Sequence, residues 1–559
     1  MSDPISDWFR FDNSALRDLP GEASGRPHRR FIPHVCLSRA EPTPVRGPTL
    51  RVWVPEVAEL LGVPTSPDTA ARAALGAAFA GNTRLAGSEP FATRYGGHQF
   101  GHWADQLGDG RAISLGEVCV AATSTDPDAP AARRYELQLK GAGVTPYSRG
   151  ADGRAVLRSS IRELVCSEAM AHLGVPTTRA LCLVTTGEAV VRDAMYDGHP
   201  RPEPGAVVCR VAESFFRLGH FQILAAHEEL GPLRVLLRHV LRRHEPDLAA
   251  APEPEAALEL LRRVCRRTAH LAVHWQRVGF VHGVLNTDNV SILGLTIDYG
   301  PYGWLDTFDP GWTPNTTDAH GRRYRFGAQP EVLHWNLARF AEALLPLVDG
   351  DMASLEAALE VYPSVFASEF DAMIATRLGL PVPASAGDTT PEADAALTNG
   401  LFALLQSTEV DPTLFFRGLG ALPALDDDGA ALGLSQEARF AAVAAAFYDD
   451  GLREGAGDPA LAGQVASWLA RYQERLRQIG VPDRARKAAM DAINPAVIPR
   501  NYLVQLAIEQ AEAGDFQGVE RLLDAVRQPY RTPDDPALLA RRPEWARRRV
   551  GCSILSCSS

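Results

Sequence analysis

At 559 residues the chain holds about three or four domain-sized units at roughly 150 residues each, and 46% hydrophobic with 22% charged residues excludes a disordered, collagenous or disulfide-scaffold protein. A net charge of −12 argues against a nucleic-acid partner, because neutralising phosphates needs a basic excess. Apolar runs fall short of the roughly 20 residues that span a bilayer, and the opening MSDPISDWFRFDNS lacks a basic start and an apolar stretch, so a cytoplasmic protein with no membrane partner is expected.

Residues 1–90 read as an N-terminal extension with Pro-rich loops and a short helix near 54–61. Residues 91–195 change to short β-type runs separated by glycines and predict a β-rich lobe holding one helix. In YELQLK, Tyr135, Leu137 and Leu139 alternate with Glu136, Gln138 and Lys140, so a strand turns Lys140 away from the apolar set, toward a cleft or solvent. Residues 121–134 have the Pro, Asp and Ser content of an exposed hairpin connection. An amphipathic helix is expected from near Asp152 to a stop at Gly174, with Leu157, Ile161, Leu164 and Val165 at helical spacing. Residues 196–340 turn helical: Leu258, Leu261, Val264, Leu271, Trp275 and Val278 mark a buried stripe closed by Gly279, ahead of GFVHGVLNTDNVSILGLTIDYGPYGWLD. Residues 341–559 read as a helical C-terminal region, including a helix over 515–527.

Of 56 Lys and Arg residues only two are lysines, Lys140 and Lys487. Lys140 sits in a glycine-rich, motif-dense stretch, where a compact ammonium suits a phosphate that arginine's planar fork does not fit. Six of the eight cysteines (Cys36, Cys119, Cys166, Cys182, Cys209, Cys265) lack metal-ligand spacing and read as thiols. Cys552 and Cys557 lie in the tail CSILSCSS, where a thiol could react or pair, so a redox role is expected of them.

Phosphoryl and nucleotidyl transfer need a neutralised triphosphate, a metal held between its oxygens and a positioned acceptor. Kinase-like folds supply these with a glycine-rich turn, a strand lysine paired to a helix glutamate, a His-x-x-x-x-x-x-Asn loop and an Asp-Phe-Gly aspartate. Each part has a candidate here in the same order: Gly108-Asp109-Gly110-Arg111, Lys140, Glu163, the loop His282 to Asn289, and Asp298-Tyr299-Gly300. Singly, each has an ordinary explanation, GDGR as a hairpin turn and Glu163 as a solvated helix face. Together they predict an α+β, protein-kinase-like bilobal fold with a β-rich N-lobe (91–195), a helical C-lobe (196–340), the N-terminal extension and the helical C-terminal region. The apolar run 290–297 between Asn289 and Asp298 suits a hairpin presenting two oxygen ligands to one hard cation. The loop departs from kinases at its third position, where Val284 replaces the aspartate that handles the acceptor hydroxyl; Asp288 is the nearest carboxylate. Asp152-Gly153 opens the expected helix, and Arg154, Arg158 and Arg162 make a basic row on one face of it, as a phosphate contact or as a solvated row answered by Glu163 and Glu168. Arg210 and Arg217 lie in an aromatic-rich segment suited to partly enclosed arginines, and His98 and His102 are read as packing residues.

These blocks, with RYGGHQFGHWADQLGDGRAISLGE, LQLKGAGVTPYSRGADGRAVLRSSIRE, NPAVIPRNYLVQLAIEQAEAGDF and the terminal CSS, resemble the selenoprotein O family, also called YdiU, over most of the chain. Family members with selenium carry selenocysteine where this chain has Cys557, so the chain is similar to a cysteine form. The resemblance implies protein adenylylation: ATP bound in reverse relative to kinases, AMP passed to Ser, Thr or Tyr hydroxyls, and pyrophosphate released. It implies nucleotide contacts from Gly108, Gly110, Arg111, Lys140, Asp152, Gly153, Arg210, Arg217 and Asp298. Glu163 would be the ion-pair partner of Lys140, Asn289 and Asp298 the ligands of Mg²⁺ or Mn²⁺, and Asp288 the proton acceptor. A γ-phosphate kinase, UMP transfer from UTP and a non-catalytic nucleotide-binding scaffold stay open as alternatives.

Overall fold

The computed structural model describes all residues except 1–3, 25, 27–30, 122–131, 383–391, 427–428, 455–456 and 557–559. Most of the expected 121–134 connection and Cys557 therefore lie outside the described residues. The protein is α+β. Among the described residues its main sheet has nine strands, of which the first four are β1 (Gly21–Glu22), β2 (Leu37–Arg39), β3 (Thr49–Trp53) and β4 (Phe91–Thr93). After them β5 (Gly96–Gln99) and β6 (His102–Gln106) form a separate two-stranded hairpin. β7 (Ala112–Ala121), β8 (Ala132–Lys140), β9 (Ala155–Val156), β10 (Arg179–Arg192) and β11 (Arg201–Ala212) complete the sheet in the order β1-β2-β4-β7-β8-β11-β10-β3, with β9 paired to β11. The sheet thus draws strands from both sides of residues 91–195, because β3 pairs with β10 and β11 pairs with β8.

The β8 alternation sets one face of the sheet. Leu137 and Leu139 point into the apolar core, while Glu136, Gln138 and Lys140 form a polar row that is buried too. Arg210 on β11 stands directly opposite Gln138, and Val208 opposite Lys140, so Lys140 and Arg210 share the polar face as diagonal neighbours.

The glutamate helix runs Leu157–His172, later than its expected start at Asp152. Residues 155–156 stay extended to pair with β11, and Gly153 before them adopts φ +67°, where an added Cβ would sit 2.0 Å from the Gly143 carbonyl oxygen. The expected amphipathic face is absent: this helix is buried nearly all round, by β10 and β11 and by the helices Asn501–Glu512 and Gln517–Val526. A helix buried on every side must pair its charges internally. Glu168 accepts from Arg179 at 2.6 Å and from the Ala180 N–H at 3.0 Å, and Arg162 donates to the Tyr302 carbonyl at 2.6 Å with its guanidinium 4.3 Å from the Tyr302 ring centre.

The long helix Glu253–Val278 ends at Gly279, φ +72°, as the buried stripe predicts. It delivers the chain to β12 (Phe280–Val281), which pairs with β13 (Gly303–Trp304) and brackets the motif-dense loop. The run 290–297 is no hairpin of its own, because Ser291 bridges to Arg217 and Thr296 to Thr177, partners outside the run. Among the described residues no helix is long and apolar enough to cross a membrane.

The C-terminal region is tied to this ribbon. The buried Asn501 carboxamide accepts from the Trp304 N–H at 3.1 Å and donates to the Trp304 carbonyl at 2.9 Å. Asn501→Ala strands both backbone groups, and chemical denaturation should show a loss of about 2–4 kcal/mol; a loss under ~0.5 kcal/mol would show that water replaces the carboxamide.

Candidate functional site

A cavity of about 730 Å³ opens between the polar face of the sheet and the loop after β12, within the roughly 300–1,000 Å³ of small-molecule sites. It is lined by Gly108, Gly110, Arg111, Lys140, Asp152, Gly153, Arg210, Asp288, Asn289 and Asp298, and by Val284 where a kinase would have its aspartate. Arg217 lies just behind this lining, paired to Asp298. Ten of the sequence candidates therefore converge on one cleft wall or another, and Glu163 supports them from beneath.

At its centre is a chain of ions, buried except for the half-buried Asp298. Glu163 pairs with both Lys140 and Arg210; Arg210 pairs in turn with Asp298 at 2.9 Å, and Asp298 with Arg217. Burial lowers the Lys140 ammonium to about 8 against the pull of Glu163. Burial alone would raise the Asp298 carboxyl, but Arg217, Arg210 and Lys140 hold it far below the ordinary carboxylate range. Arg111 lines the same cavity and makes no ion pair among the described residues, while its neighbour Arg210 disfavours its charge after burial does. Asp298 itself adopts φ +57°, a left-handed conformation that aspartate tolerates better than most residues.

The glycine-rich turn is built on Tyr147: an added Cβ at Gly108 would meet the Tyr147 ring at 2.5 Å, and at Gly110 the Tyr147 carbonyl at 2.9 Å. Asp109 points inward, accepting from the Thr93 N–H at 2.8 Å and the Thr93 hydroxyl at 2.5 Å, and burial raises its carboxyl. The loop 282–289 is held at several points. The His282 N–H donates to Gln329 at 2.9 Å, the His98 N–H to the Thr287 hydroxyl at 2.7 Å, and Asn289 Nδ2 to the Val284 carbonyl at 2.9 Å. That last bond turns the Asn289 amide nitrogen inward and leaves its oxygen as the group to face a cation.

Asp288 sits under the β5–β6 hairpin, so close that a Cβ on Gly97 would lie 2.4 Å from its Oδ1. This oxygen is buried without a hydrogen-bond partner among the described residues, and burial raises the carboxyl to about 7 against the pull of Arg217. The Asn289 carboxamide oxygen and the Asp298 carboxylate, both on the cavity wall, are hard oxygens of the kind that fits a divalent cation such as Mg²⁺.

Other candidates land elsewhere. Asp152 reaches the cavity wall but is engaged by Arg192 at 2.6 Å. The basic row is no face of the helix: Arg154 precedes it and donates to the Thr43 carbonyl at 3.0 Å, Arg158 pairs with Glu203, and Arg162 packs on Tyr302. His98 packs between Trp103 and Trp335 as expected, whereas His102 is exposed and is not a packing residue. Cys552 is fully buried and burial pushes its thiol up to about 11, so the expected reactive tail thiol is absent at this position. The tail around it is docked, with the Leu555 N–H donating to Pro314 at 2.9 Å and the Ser556 hydroxyl to the Ala194 carbonyl. Three supporting residues escaped the sequence reading. Gln138 accepts from Arg210 at 3.1 Å, the Tyr95 ring lies 4.6 Å from the Arg217 guanidinium, and His220 Nδ1 accepts from the Arg217 N–H at 3.0 Å. Gln138 shares the polar alternation of β8 with Lys140 and could have been found from it.

Cations converging with hard oxygen donors in a cleft of this size make a site for a polyphosphate with a divalent cation. The comparisons give the class. The family profile described as "Protein adenylyltransferase SelO" matches residues 35–527. The protein nucleotidyltransferase YdiU of Aromatoleum aromaticum is 51% identical over 98% of this chain and 99% of the relative. Those of Nitrosospira multiformis (50%, covering 98% and 96%) and Xanthomonas campestris pv. campestris (51%, covering 99% and 99%) are similar to the chain to the same degree. The chain belongs to the SelO family and is a nucleotidyltransferase.

Removing Glu163 leaves Lys140 without an ion-pair partner and Arg210 with Asp298 alone, whereas removing Lys140 leaves Glu163 its arginine. Glu163→Gln should therefore cost about 3–5 kcal/mol in denaturant unfolding and Lys140→Met clearly less; equal costs would mean that Arg210 is neutralised by Asp298 alone.

Proposed function

We propose that this protein transfers AMP from ATP to Ser, Thr or Tyr hydroxyls of proteins, with Mg²⁺ or Mn²⁺, in a kinase-like bilobal arrangement whose cleft is the cavity described above. The observation that carries the reading is the charge layout: cations line the cleft, while Val284 stands at the kinase base position and the nearest carboxylate of the same loop is Asp288.

In this reading Arg111, Lys140, Arg210 and Arg217 neutralise the phosphates, and Gly108, Gly110 and Gly153, which line the same cavity, contact the nucleotide. Asp152, on the same wall, completes the nucleotide contacts beside Arg192. Asn289 and Asp298 hold the cation, which when bound neutralises charge on the triphosphate oxygens. The acceptor hydroxyl oxygen bonds to the α-phosphorus, the bond from that phosphorus to the α–β bridging oxygen breaks, and pyrophosphate leaves with the electron pair. Asp288, which lines the same cavity, takes the hydroxyl proton on its carboxylate. The cations then serve mainly to bind and orient pyrophosphate as it forms.

Paired incubations with α-labelled and γ-labelled ATP plus metal test this. The expected outcome is protein label from the α-position only, reduced at least a hundredfold in both Asp298→Ala and Asp288→Asn. Label from the γ-position would make the protein a kinase, with Asp288 as its displaced base, and label from neither would favour a nucleotide-binding scaffold.

A further inference from the structure

The β5–β6 hairpin that covers Asp288 continues past the cleft as a shelf of aromatic rings and arginines. Gln99 and Phe100, at the hairpin turn, line the cavity together with Asn286 and Asp288. The Phe100 N–H donates to the Tyr324 hydroxyl at 2.8 Å, which fixes the turn against the segment that precedes the helix Gln329–Leu344. At the same turn a Cβ added to Gly101 would meet the Arg323 guanidinium at 3.6 Å. That guanidinium lies 4.7 Å from the Trp335 ring centre, and Trp335 meets His98 edge-on at 5.4 Å, with Trp103 5.1 Å from the same histidine. None of this is core: Trp335 and Arg323 are half-buried, and Trp103 is 37% exposed.

The charge of this surface runs against that of the whole chain, whose net charge is −12. Arg322, Arg323 and Arg325 make no ion pair among the described residues, Arg325 donating instead to the Arg322 carbonyl at 3.1 Å. The acids nearby are mostly engaged. Asp318 is buried and accepts from the Arg323 and Tyr324 N–H groups at 2.9 and 2.7 Å, Asp105 faces His227 at 2.6 Å, and Glu342 pairs with Arg339 at 2.7 Å. Within residues 309–331 this leaves Asp309 and Glu331 against three arginines. Across the cleft mouth Arg149 is exposed, lines the same cavity as Asp288 and makes no ion pair among the described residues. A hydroxyl on its way to Asp288 therefore passes between Arg149 and the arginine-bearing shelf. Aromatic rings and arginines are also the residue types enriched where proteins meet.

We infer that this shelf docks the acceptor protein through an acidic segment: the hydroxyl enters toward Asp288, Asp or Glu residues beside it meet Arg149 and Arg323, and an apolar side chain lies on Trp103 and Trp335. The inference rests on the AMP-transfer reading, which puts the acceptor at Asp288. A single charge pair on an open rim contributes little, so the selection comes from several pairs acting together. Arg323 contributes more than a mobile side chain because Trp335 holds its planar fork in place, which lowers the entropy lost when a carboxylate takes it.

Fluorescence anisotropy of rhodamine-labelled peptides on the full chain tests this, with the cleft filled by Mg²⁺ and α,β-methylene-ATP, which cannot pass on AMP. Three peptides each carry one Ser and one Tyr, flanked by Glu, by Gln or by Lys. The Glu peptide should bind about tenfold tighter than the Gln peptide, with the Lys peptide weakest and the preference shrinking at high salt. Arg323→Glu should reverse the order, so that the Lys peptide overtakes the Glu peptide, which a merely structural role for Arg323 would not produce. If that variant no longer binds the nucleotide analogue and so has lost its fold, Arg149→Glu on the exposed rim must give the reversal instead. Equal binding of the three peptides, an order unmoved by the charge reversal, or binding of the Glu peptide only when the analogue is left out would each overturn the inference; the last would put the peptide on the nucleotide's own cations. Transfer is read separately with α-labelled ATP. Docking of the Glu peptide without label would keep the shelf and remove the AMP-transfer reading, whereas label spread evenly over the three peptides would keep that reading and remove the shelf.

Discussion

The grip of two arginines on Asp298 is the constraint on which the rest of the site depends. The half-buried Asp298 carboxylate is held as an anion by Arg210 and Arg217, which both reach it, and Glu163 in turn answers Arg210 and Lys140 together. The cleft carries more cation than anion: Lys140, Arg210, Arg217 and Arg111 face Glu163 and Asp298, while burial pushes Asp109 and Asp288 toward their neutral forms. Such an excess is unfavourable in the free protein and is what a triphosphate would relieve, so binding energy is stored in the arrangement of charges rather than in any single contact.

The fold supplies this arrangement through register. Lys140 and Arg210 meet on one face because β8 and β11 are neighbours and antiparallel, with Gln138 opposite Arg210. Glu163 arrives from a helix that is enclosed on all sides, which fixes its position and forbids any substitution that leaves a charge unpaired. Asp298 and Asn289 come from one loop bracketed by β12 and β13, and the Asn501 carboxamide ties that ribbon to the C-terminal helices. Stability of the distant C-terminal region and geometry of the cleft are thus parts of one packed unit.

Much of this was legible in the sequence, for identifiable reasons. A lysine kept in a chain that almost everywhere uses arginine marked one wall of the cleft, and the order of Gly108, Lys140, Glu163, Asn289 and Asp298 marked the constellation, because chemistry fixes residue type and order more tightly than it fixes element boundaries. The misreadings share a cause. The helix looked amphipathic and the row Arg154, Arg158, Arg162 looked like one face because periodicity cannot see helices that arrive more than three hundred residues later to cover the other side. The tail looked loose for the same reason, since its partners at Pro314 and Ala194 are remote in sequence.

The central claim, that Asp298 holds two phosphate-binding arginines in check, is tested most directly by calorimetry of ATP binding without divalent metal, comparing the wild type with Asp298→Asn. The account predicts that the variant, with Arg210 and Arg217 released, binds metal-free ATP about tenfold tighter, as an added charge-assisted contact of roughly 1.4 kcal/mol would produce. Equal or weaker metal-free binding by Asp298→Asn would contradict it, and would show that the two arginines serve to position Asp298 and not the nucleotide.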